Sequence, residues 1–107
     1  MLKHKYKAVR TERDGHKFRS KIEARRYDEL VLAQRAGEIV MFMMEVPFRM
    51  PGTVYWADFM VFWTDGSVTV EDVKGVITST FKTKQRMMKQ HFPSVEIICI
   101  TYKRTKK

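Results

Sequence analysis

The Asp65-Gly66 dipeptide constrains the fold of this chain more than any other feature of its sequence. Before it lies Tyr55 to Thr64 (YWADFMVFWT), which is rich in aromatic and β-branched side chains, and after it lies Ser67 to Lys74 (SVTVEDVK), in which apolar and polar residues alternate. Both patterns are typical of β-strands, and Asp-Gly between two such runs favours a tight hairpin turn. The sequence therefore predicts two antiparallel neighbours in one sheet.

Two further segments are predicted to be helices. Ser20-Lys21-Ile22-Glu23 matches the capping box S-x-x-E that opens a helix, and Gly37 is well placed to end this helix at about residue 36. A second helix is predicted from about Thr78 to His91, where Phe92-Pro93 closes it.

The remaining segments complete the sheet. Glu38 to Met44 is a strand candidate that Val46 to Met50 extends, with Pro47 and Pro51 indicating an edge. Val95 to Tyr102 (VEIICITY) is predicted to be a buried strand. A short hairpin, turning at Asp14-Gly15, is expected between residues 7–12 and 16–19.

This element order defines the expected fold class. Helix, three antiparallel strands, helix and strand predict an α/β (α+β) fold with a mixed central sheet flanked by helices. At 107 residues the chain fits a single domain, residues 1–107, with basic ends at 1–6 and 103–107 that are expected to be mobile. Eight Met and seven Phe suit either the core or a homodimer interface.

The charge of the chain points to a polyanionic partner. Lys and Arg number 21 against 12 Asp and Glu, a net charge of +9, which favours nucleic acid over a membrane surface because no basic helix has a Trp/Leu face. No apolar run is long enough to span a bilayer, and the first residues lack the apolar core of a signal peptide. The lone Cys99 permits no internal disulfide, so a reducing, cytoplasmic location is expected.

Three side chains on the predicted hairpin suggest chemistry. Asp58 interrupts an apolar strand, where a buried carboxylate is costly unless it is paired or binds a cation. Asp72 and Lys74 share one face of the next strand, and counting from the turn pairs Asp58 with residue 72 or 73. Two adjacent carboxylates favour Mg²⁺, and a nearby ammonium group suits phosphodiester hydrolysis. An ordinary cross-strand ion pair explains the same residues without any activity.

The order of these residues resembles the PD-(D/E)XK nuclease superfamily. An acidic residue on a first helix, Glu23, precedes Asp58 on a central strand and D-x-K on the next, Asp72-Val73-Lys74. The segments Phe18 to Ala24 and Val70 to Gly75 look like those of small phage and prophage proteins of that superfamily.

The resemblance implies a restriction-endonuclease-like αβββαβ core and a role for each residue. Asp58 and Asp72 would bind the metal with Glu23 and the Val73 carbonyl, and Lys74 would be the catalytic lysine. Mg²⁺ is the implied cofactor, for which Mn²⁺ can substitute. Asp72 is preferred to Glu71 because no lysine stands two residues after Glu71. Glu23 has a second explanation, since in a capping box it bonds back to the Ser20 amide.

The second predicted helix supplies a candidate DNA surface. It is basic on one side and follows the D-x-K strand directly, so its polar side chains are expected to contact phosphates. These candidates are Thr78, Thr80, Lys82, Lys84, Arg86 and Lys89. A solvated helix face is the alternative for any one of them.

These observations favour a Mg²⁺-dependent DNA endonuclease. Small size, basic charge and the lack of an appended recognition domain favour recognition of DNA shape, as in the Holliday-junction resolvases of DNA recombination, which resemble this minimal core and act as dimers. Branched or single-stranded DNA cut by a phage nuclease is a close variant. The alternatives are a non-catalytic DNA-binding protein and a phage structural or assembly protein, in which Met41-Phe42-Met43-Met44 forms an interface.

Overall fold

A computed structural model describes residues 11–102 of the protein. These residues form, in chain order, β1 (Thr11–Arg13), β2 (His16–Phe18), α1 (Lys21–Arg35), β3 (Ile39–Met50), β4 (Thr53–Trp63), β5 (Val68–Val73), α2 (Ser79–His91) and β6 (Ile97–Ile100). From α1 onward the order is the expected αβββαβ. The predicted ends at 1–6 and 103–107, and the first part of the predicted strand at 7–12, lie outside the described residues.

A mixed four-stranded sheet organises the described part of the chain. Its strand order is β3-β4-β5-β6, with antiparallel pairing from β3 to β5 and parallel pairing of β5 with β6. A parallel pair requires a crossover connection, which α2 provides. Strands β1 and β2 form a separate small sheet. The predicted α+β class with a mixed sheet is confirmed.

Local signals in the sequence fix both helix starts. Ser20 Oγ accepts the Glu23 amide hydrogen at 3.3 Å, and Thr78 Oγ1 accepts the Phe81 amide hydrogen at 3.1 Å. Each bond satisfies an amide that has no partner within its helix. At the other end of α1, Gly37 adopts a φ of +81°, a conformation that glycine reaches without steric cost.

The core consists of two clusters, one under each helix. Tyr27 and Leu30 of α1 pack with Phe59 of β4, whereas Phe81 and Met88 of α2 pack in a second cluster. Each cluster excludes water from one helix face, and this burial is the main contribution to the stability of such a fold.

Strand β4 contributes to both clusters because the alternation of its side chains breaks at Asp58, and we call this irregularity the bend of β4. Side chains alternate along a strand, so Ala57 and Phe59 ought to face the same side, yet Ala57 packs in the α2 cluster and Phe59 in the α1 cluster. The paired positions of β3 and β4 also leave out Glu45 and Asp58, and Glu45 has a φ of +52°, which is rare outside glycine. The bend therefore places Asp58 where the two clusters meet.

One strand differs from its prediction. Val95 to Tyr102 was expected to form a buried strand, but β6 spans only Ile97–Ile100 and all four residues are half-buried. Within the described residues β6 is the edge of the sheet, so no further strand covers its outer side. An apolar run shows that a segment is a strand but does not show whether it is central or at an edge.

Candidate active site

The structure brings Asp58 and Asp72 together. Phe59 and Glu71 are the last paired residues of β4 and β5 on this side, and Asp58 and Asp72 are the next residues beyond them on the two strands. Both aspartates line one cleft of about 230 Å³, together with Glu23 and Lys74. The four residues proposed from the sequence as catalytic therefore share one cavity.

Asp58 lies at the centre of this cleft in an unusual electrostatic environment. Its Oδ2 accepts the Val73 amide hydrogen at 2.8 Å, beyond the last paired residues of β4 and β5. Burial, and then the negative charges of Asp72 and Glu23, raise the pKa of Asp58 to about 7, although the Val73 amide acts in the opposite direction. A carboxylate that resists ionisation beside two other acids is a group whose charge a cation would stabilise.

Asp72 is more deeply buried, at 3% exposure, and is held from both sides. Its Oδ2 accepts the hydroxyl hydrogen of Tyr55 at 2.7 Å, and its Oδ1 lies 3.4 Å from Lys74 Nζ. The Lys74 ammonium also lies 4.8 Å from the centre of the Phe81 ring, within the range of a cation–π contact. Lys74 is thus fixed at the cleft.

Glu23 both caps its helix and belongs to the cleft. Its carboxylate accepts the amide hydrogen of Arg19 at 3.1 Å, one residue before the Ser20 amide expected in a capping box. The side chain is only 16% exposed, and its charge contributes to the raised pKa of Asp58. The capping and site explanations for Glu23 are therefore compatible.

Glu71 faces the opposite side of the sheet from Asp72. Both of its carboxylate oxygens accept hydrogen bonds from Arg26 of α1, at 2.7 and 2.6 Å, and the side chain is 2% exposed. Because both oxygens of Glu71 are bound by Arg26, this carboxylate is not available as a ligand in the cleft. The choice of Asp72 over Glu71 agrees with this geometry.

The cleft has the donor atoms for a divalent cation but not a complete ligand set. Among residues 11–102, no three acidic, histidine or cysteine side chains come close enough together to form a metal site by themselves. Two facing carboxylates, Asp58 and Asp72, offer the hard oxygen donors that Mg²⁺ prefers, and this ion usually keeps several water ligands. Glu23 and Val73 line the same cleft. These residues fit a cation held by two carboxylates and water.

The structure divides the predicted DNA-contacting residues into two groups. Thr78, Thr80 and Lys84 line the cleft, and Lys84 Nζ donates to the Val54 carbonyl at 3.3 Å. The other three are exposed on α2 and do not line it; they are Lys82, Arg86 and Lys89. At about 100° per residue, their stripe lies on the opposite flank of the helix from Thr80 and Lys84.

Four residues that line the cleft were not predicted from the sequence as site residues; they are Arg19, Tyr55, Trp56 and Phe81. Tyr55 binds Asp72, Trp56 is exposed on the cleft wall, and Arg19 lies between the cleft and a second cavity under the β1–β2 hairpin. Arg19 could have been found, since it precedes the capping box that holds Glu23. Tyr55 and Trp56 could not, because their strand is apolar on both faces.

A family model described as "Protein of unknown function (DUF1064)" matches residues 3–106. The chain belongs to the DUF1064 family. The DUF1064 match spans every residue of the cleft. Neither a curated protein nor a solved structure gives a significant match. Within residues 11–102, neither helix of this DUF1064 chain is long and apolar enough to cross a membrane.

Proposed function

We propose that the protein is a Mg²⁺-dependent DNA endonuclease of the PD-(D/E)XK type. One observation carries this proposal: the carboxylates of Asp58 and Asp72 share a cleft in which the Lys74 ammonium lies 3.4 Å from Asp72. Hydrolysis of a phosphodiester needs oxygen ligands for a cation and a positive group near the phosphate, and this cleft supplies both.

Each residue of the cleft has a chemical role in this proposal. Asp58 and Asp72 would hold the cation, and Glu23 and the Val73 carbonyl would be its further ligands, directly or through water. A bound Mg²⁺ polarises the phosphodiester and lowers the pKa of a water molecule. Lys74, positioned by Asp72 and the Phe81 ring, stabilises the negative charge that builds on the phosphate.

The substrate in this proposal is DNA recognised by its shape, with a Holliday junction or another branched structure as the leading candidate. The net charge of +9 supports a nucleic-acid partner, and Thr78, Thr80 and Lys84 extend the cleft with phosphate-binding groups. The corresponding location is the cytoplasm, which for a phage-encoded protein is that of the host cell.

A homodimer is part of the same proposal, because two subunits can each cut one strand of a branched molecule. Strand β3 lies at the sheet edge, and three of its apolar side chains, Val40, Met41 and Met43, are exposed. An exposed apolar edge strand is a ready interface for a second copy.

A non-catalytic DNA-binding protein is the second candidate, and a specific observation favours it. The carboxylates of the cleft already have partners: Tyr55 and Lys74 for Asp72, and the Val73 amide for Asp58. Paired in this way, the aspartates can be structural without binding a metal.

Incubation of the purified protein with four-way junction, flap, single-stranded and duplex DNA separates the two candidates. Each substrate is tested with Mg²⁺, Mn²⁺ or EDTA, and we expect cleavage only with the metals, strongest on branched DNA. Asp72→Asn is expected to lower cleavage at least a hundredfold while DNA binding is kept, because it removes a metal ligand and leaves the basic surface intact. Light scattering of the same preparation is expected to give the molar mass of a homodimer, twice the 12.7 kDa of one chain.

The matched control is Glu96→Gln, which removes an exposed carboxylate outside the cleft. This variant is expected to cleave like the wild type. Metal-independent cleavage, or equal activity of Asp72→Asn and wild type, would rule out the nuclease proposal. DNA binding without cleavage of any substrate would favour the non-catalytic alternative.

A further inference from the structure

Trp56 is the largest exposed aromatic side chain among the described residues, at 56% exposure. It lies on β4 opposite Pro47 of the edge strand β3, and it lines the same cleft as Asp58, Asp72 and Lys74. Burying a tryptophan is strongly favourable, so a ring left open to solvent in a candidate active site is available to a ligand.

The other tryptophan of the chain shows the contrast. Trp63 ends the same strand, packs against the α1 cluster, and its indole nitrogen donates to Thr69 Oγ1 at 2.8 Å. Trp63 is therefore explained by the core and its hydrogen bond, whereas Trp56 packs in neither of the two core clusters.

Trp56 is two residues from Asp58 on β4, and both side chains line the cleft. On the same cleft wall the Lys84 ammonium lies 3.3 Å from the carbonyl of Val54, two residues before Trp56. A ring that can stack on a base and a cation that can bind a phosphate therefore line the same cleft.

We propose that Trp56 is a stacking platform for an unpaired base of DNA that enters the cleft lined by Asp58, Asp72 and Lys74. The inference rests on the proposed function and narrows its substrate class to DNA with unpaired nucleotides at the cleavage site. Inside a continuous duplex both faces of a base are covered by its neighbours, so only an unpaired or displaced base can lie on an indole ring. Branch points, flaps and single strands offer such bases.

Tryptophan fluorescence in EDTA tests the platform without any cleavage. Because the chain has two tryptophans, Trp63→Phe leaves Trp56 as the sole indole fluorophore. We expect an oligothymidylate of about a dozen nucleotides to quench this emission. A strand of the same length with abasic sites carries the same phosphates without bases, and it is expected to leave the emission unchanged, as is a closed duplex hairpin.

Affinity measurements supply a second readout. Trp56→Ala is expected to weaken oligothymidylate binding by roughly 5- to 150-fold, since one stacked base contributes about 1–3 kcal/mol. Its binding of the abasic strand is expected to be unchanged, and Trp56→Tyr, which keeps a ring, is expected to retain most of the affinity. A melting temperature for Trp56→Ala close to that of the wild type confirms that it folds.

Two results would overturn the platform: equal quenching by the abasic strand, or oligothymidylate binding by Trp56→Ala as tight as that of the wild type. If either result is obtained and cleavage still depends on Asp72, the nuclease proposal is supported and only the stacking role of Trp56 is wrong. If the base-containing strand quenches the emission but no substrate is cleaved, the stacking role of Trp56 is supported and the nuclease proposal is wrong.

Discussion

At the scale of single residues, Asp58 lies at an irregular point of the β4 backbone and also contributes its carboxylate to the cleft. It occupies the bend where β4 passes from one core cluster to the other, opposite Glu45 with its positive φ. Left-handed backbone at a non-glycine residue is costly, and such strain is often found at functional sites. The same bend frees the Asp58 carboxylate to accept the Val73 amide and to face Asp72.

The raised pKa of Asp58 makes the stability of the metal-free protein depend on pH. Since its pKa is about 7 when folded and 3.8 ordinarily, the folded state binds this proton more tightly than the unfolded chain. The resulting stabilisation is complete below the ordinary pKa and is lost as the pH rises through 7. In EDTA, the melting temperature of the wild type is expected to fall from about pH 4 to pH 8 more than that of Asp58→Asn.

Calorimetry or circular dichroism measures this difference, and Mg²⁺ provides the control. At about pH 8 the cation is expected to raise the melting temperature of the wild type by stabilising the charged carboxylate, with little effect on Asp58→Asn. If the melting temperatures of the wild type and of Asp58→Asn change with pH in the same way, the pKa of Asp58 is not raised in the folded protein.

At the scale of elements, one ion pair fixes α1 to the strand that carries Asp72. Arg26 of α1 donates to both oxygens of Glu71 on β5, and it also binds Glu29 at 2.9 Å. This contact lies on the face of β5 opposite the cleft, next to Asp72. It therefore sets the distance between α1, with Glu23 at its start, and the aspartates.

Removal of Arg26 is expected to destabilise the protein strongly. Arg26→Met leaves the carboxylate of Glu71 buried without its partner, which costs about 3–5 kcal/mol, whereas Arg26→Met with Glu71→Met is expected to recover most of that loss. The midpoint of urea unfolding measures both effects.

Arg25→Met is the matched control on the same helix. The Arg25 side chain is 60% exposed, pairs with Glu29 at 3.5 Å and lies 3.9 Å from the centre of the Tyr102 ring, so its removal is expected to cost about 1–2 kcal/mol, less than that of Arg26. Equal losses for Arg25→Met and Arg26→Met would show that the buried pair does not anchor α1.

At the scale of the whole molecule, positive charge is the dominant property. The excess of +9 on 107 residues creates a field that attracts a polyanion, while the cleft concentrates acids at one point within it. In the proposed nuclease, the acids of the cleft would bind the cation and the positive charge of the chain would attract the phosphates of DNA.

DNA affinity is therefore expected to depend steeply on salt. With about four phosphate contacts, the dissociation constant is expected to rise roughly a hundredfold between 50 and 200 mM salt. Lys84→Ala, in the cleft, is expected to lower the slope by about one unit, and Lys82→Ala, on the other flank of α2, to change it less. Fluorescence anisotropy measures these slopes, and a nearly flat salt dependence would favour an assembly protein.

The αβββαβ order was predictable from sequence because each element is specified by signals a few residues apart. Asp65-Gly66 sets the register of β4 and β5, and Asp58 and Asp72 are the residues directly beyond the last pair of that register, Phe59 and Glu71. Ser20 and Thr78 cap helices in the structure as the sequence indicates. These are local interactions, so they appear in the chain as short patterns.

The partners of the cleft residues were decided by tertiary structure alone. Tyr55 and Trp56 are neighbours in a strand that is apolar on both faces, so alternation could not show that Tyr55 is buried against Asp72 and that Trp56 is exposed. Glu71 and Arg26 are separated by 45 positions and meet only when α1 packs on the sheet. The sequence determined which elements form and which acids share a hairpin; the packing of helices on a bent sheet determined which side chains those acids contact, because such contacts depend on distances that no local pattern encodes.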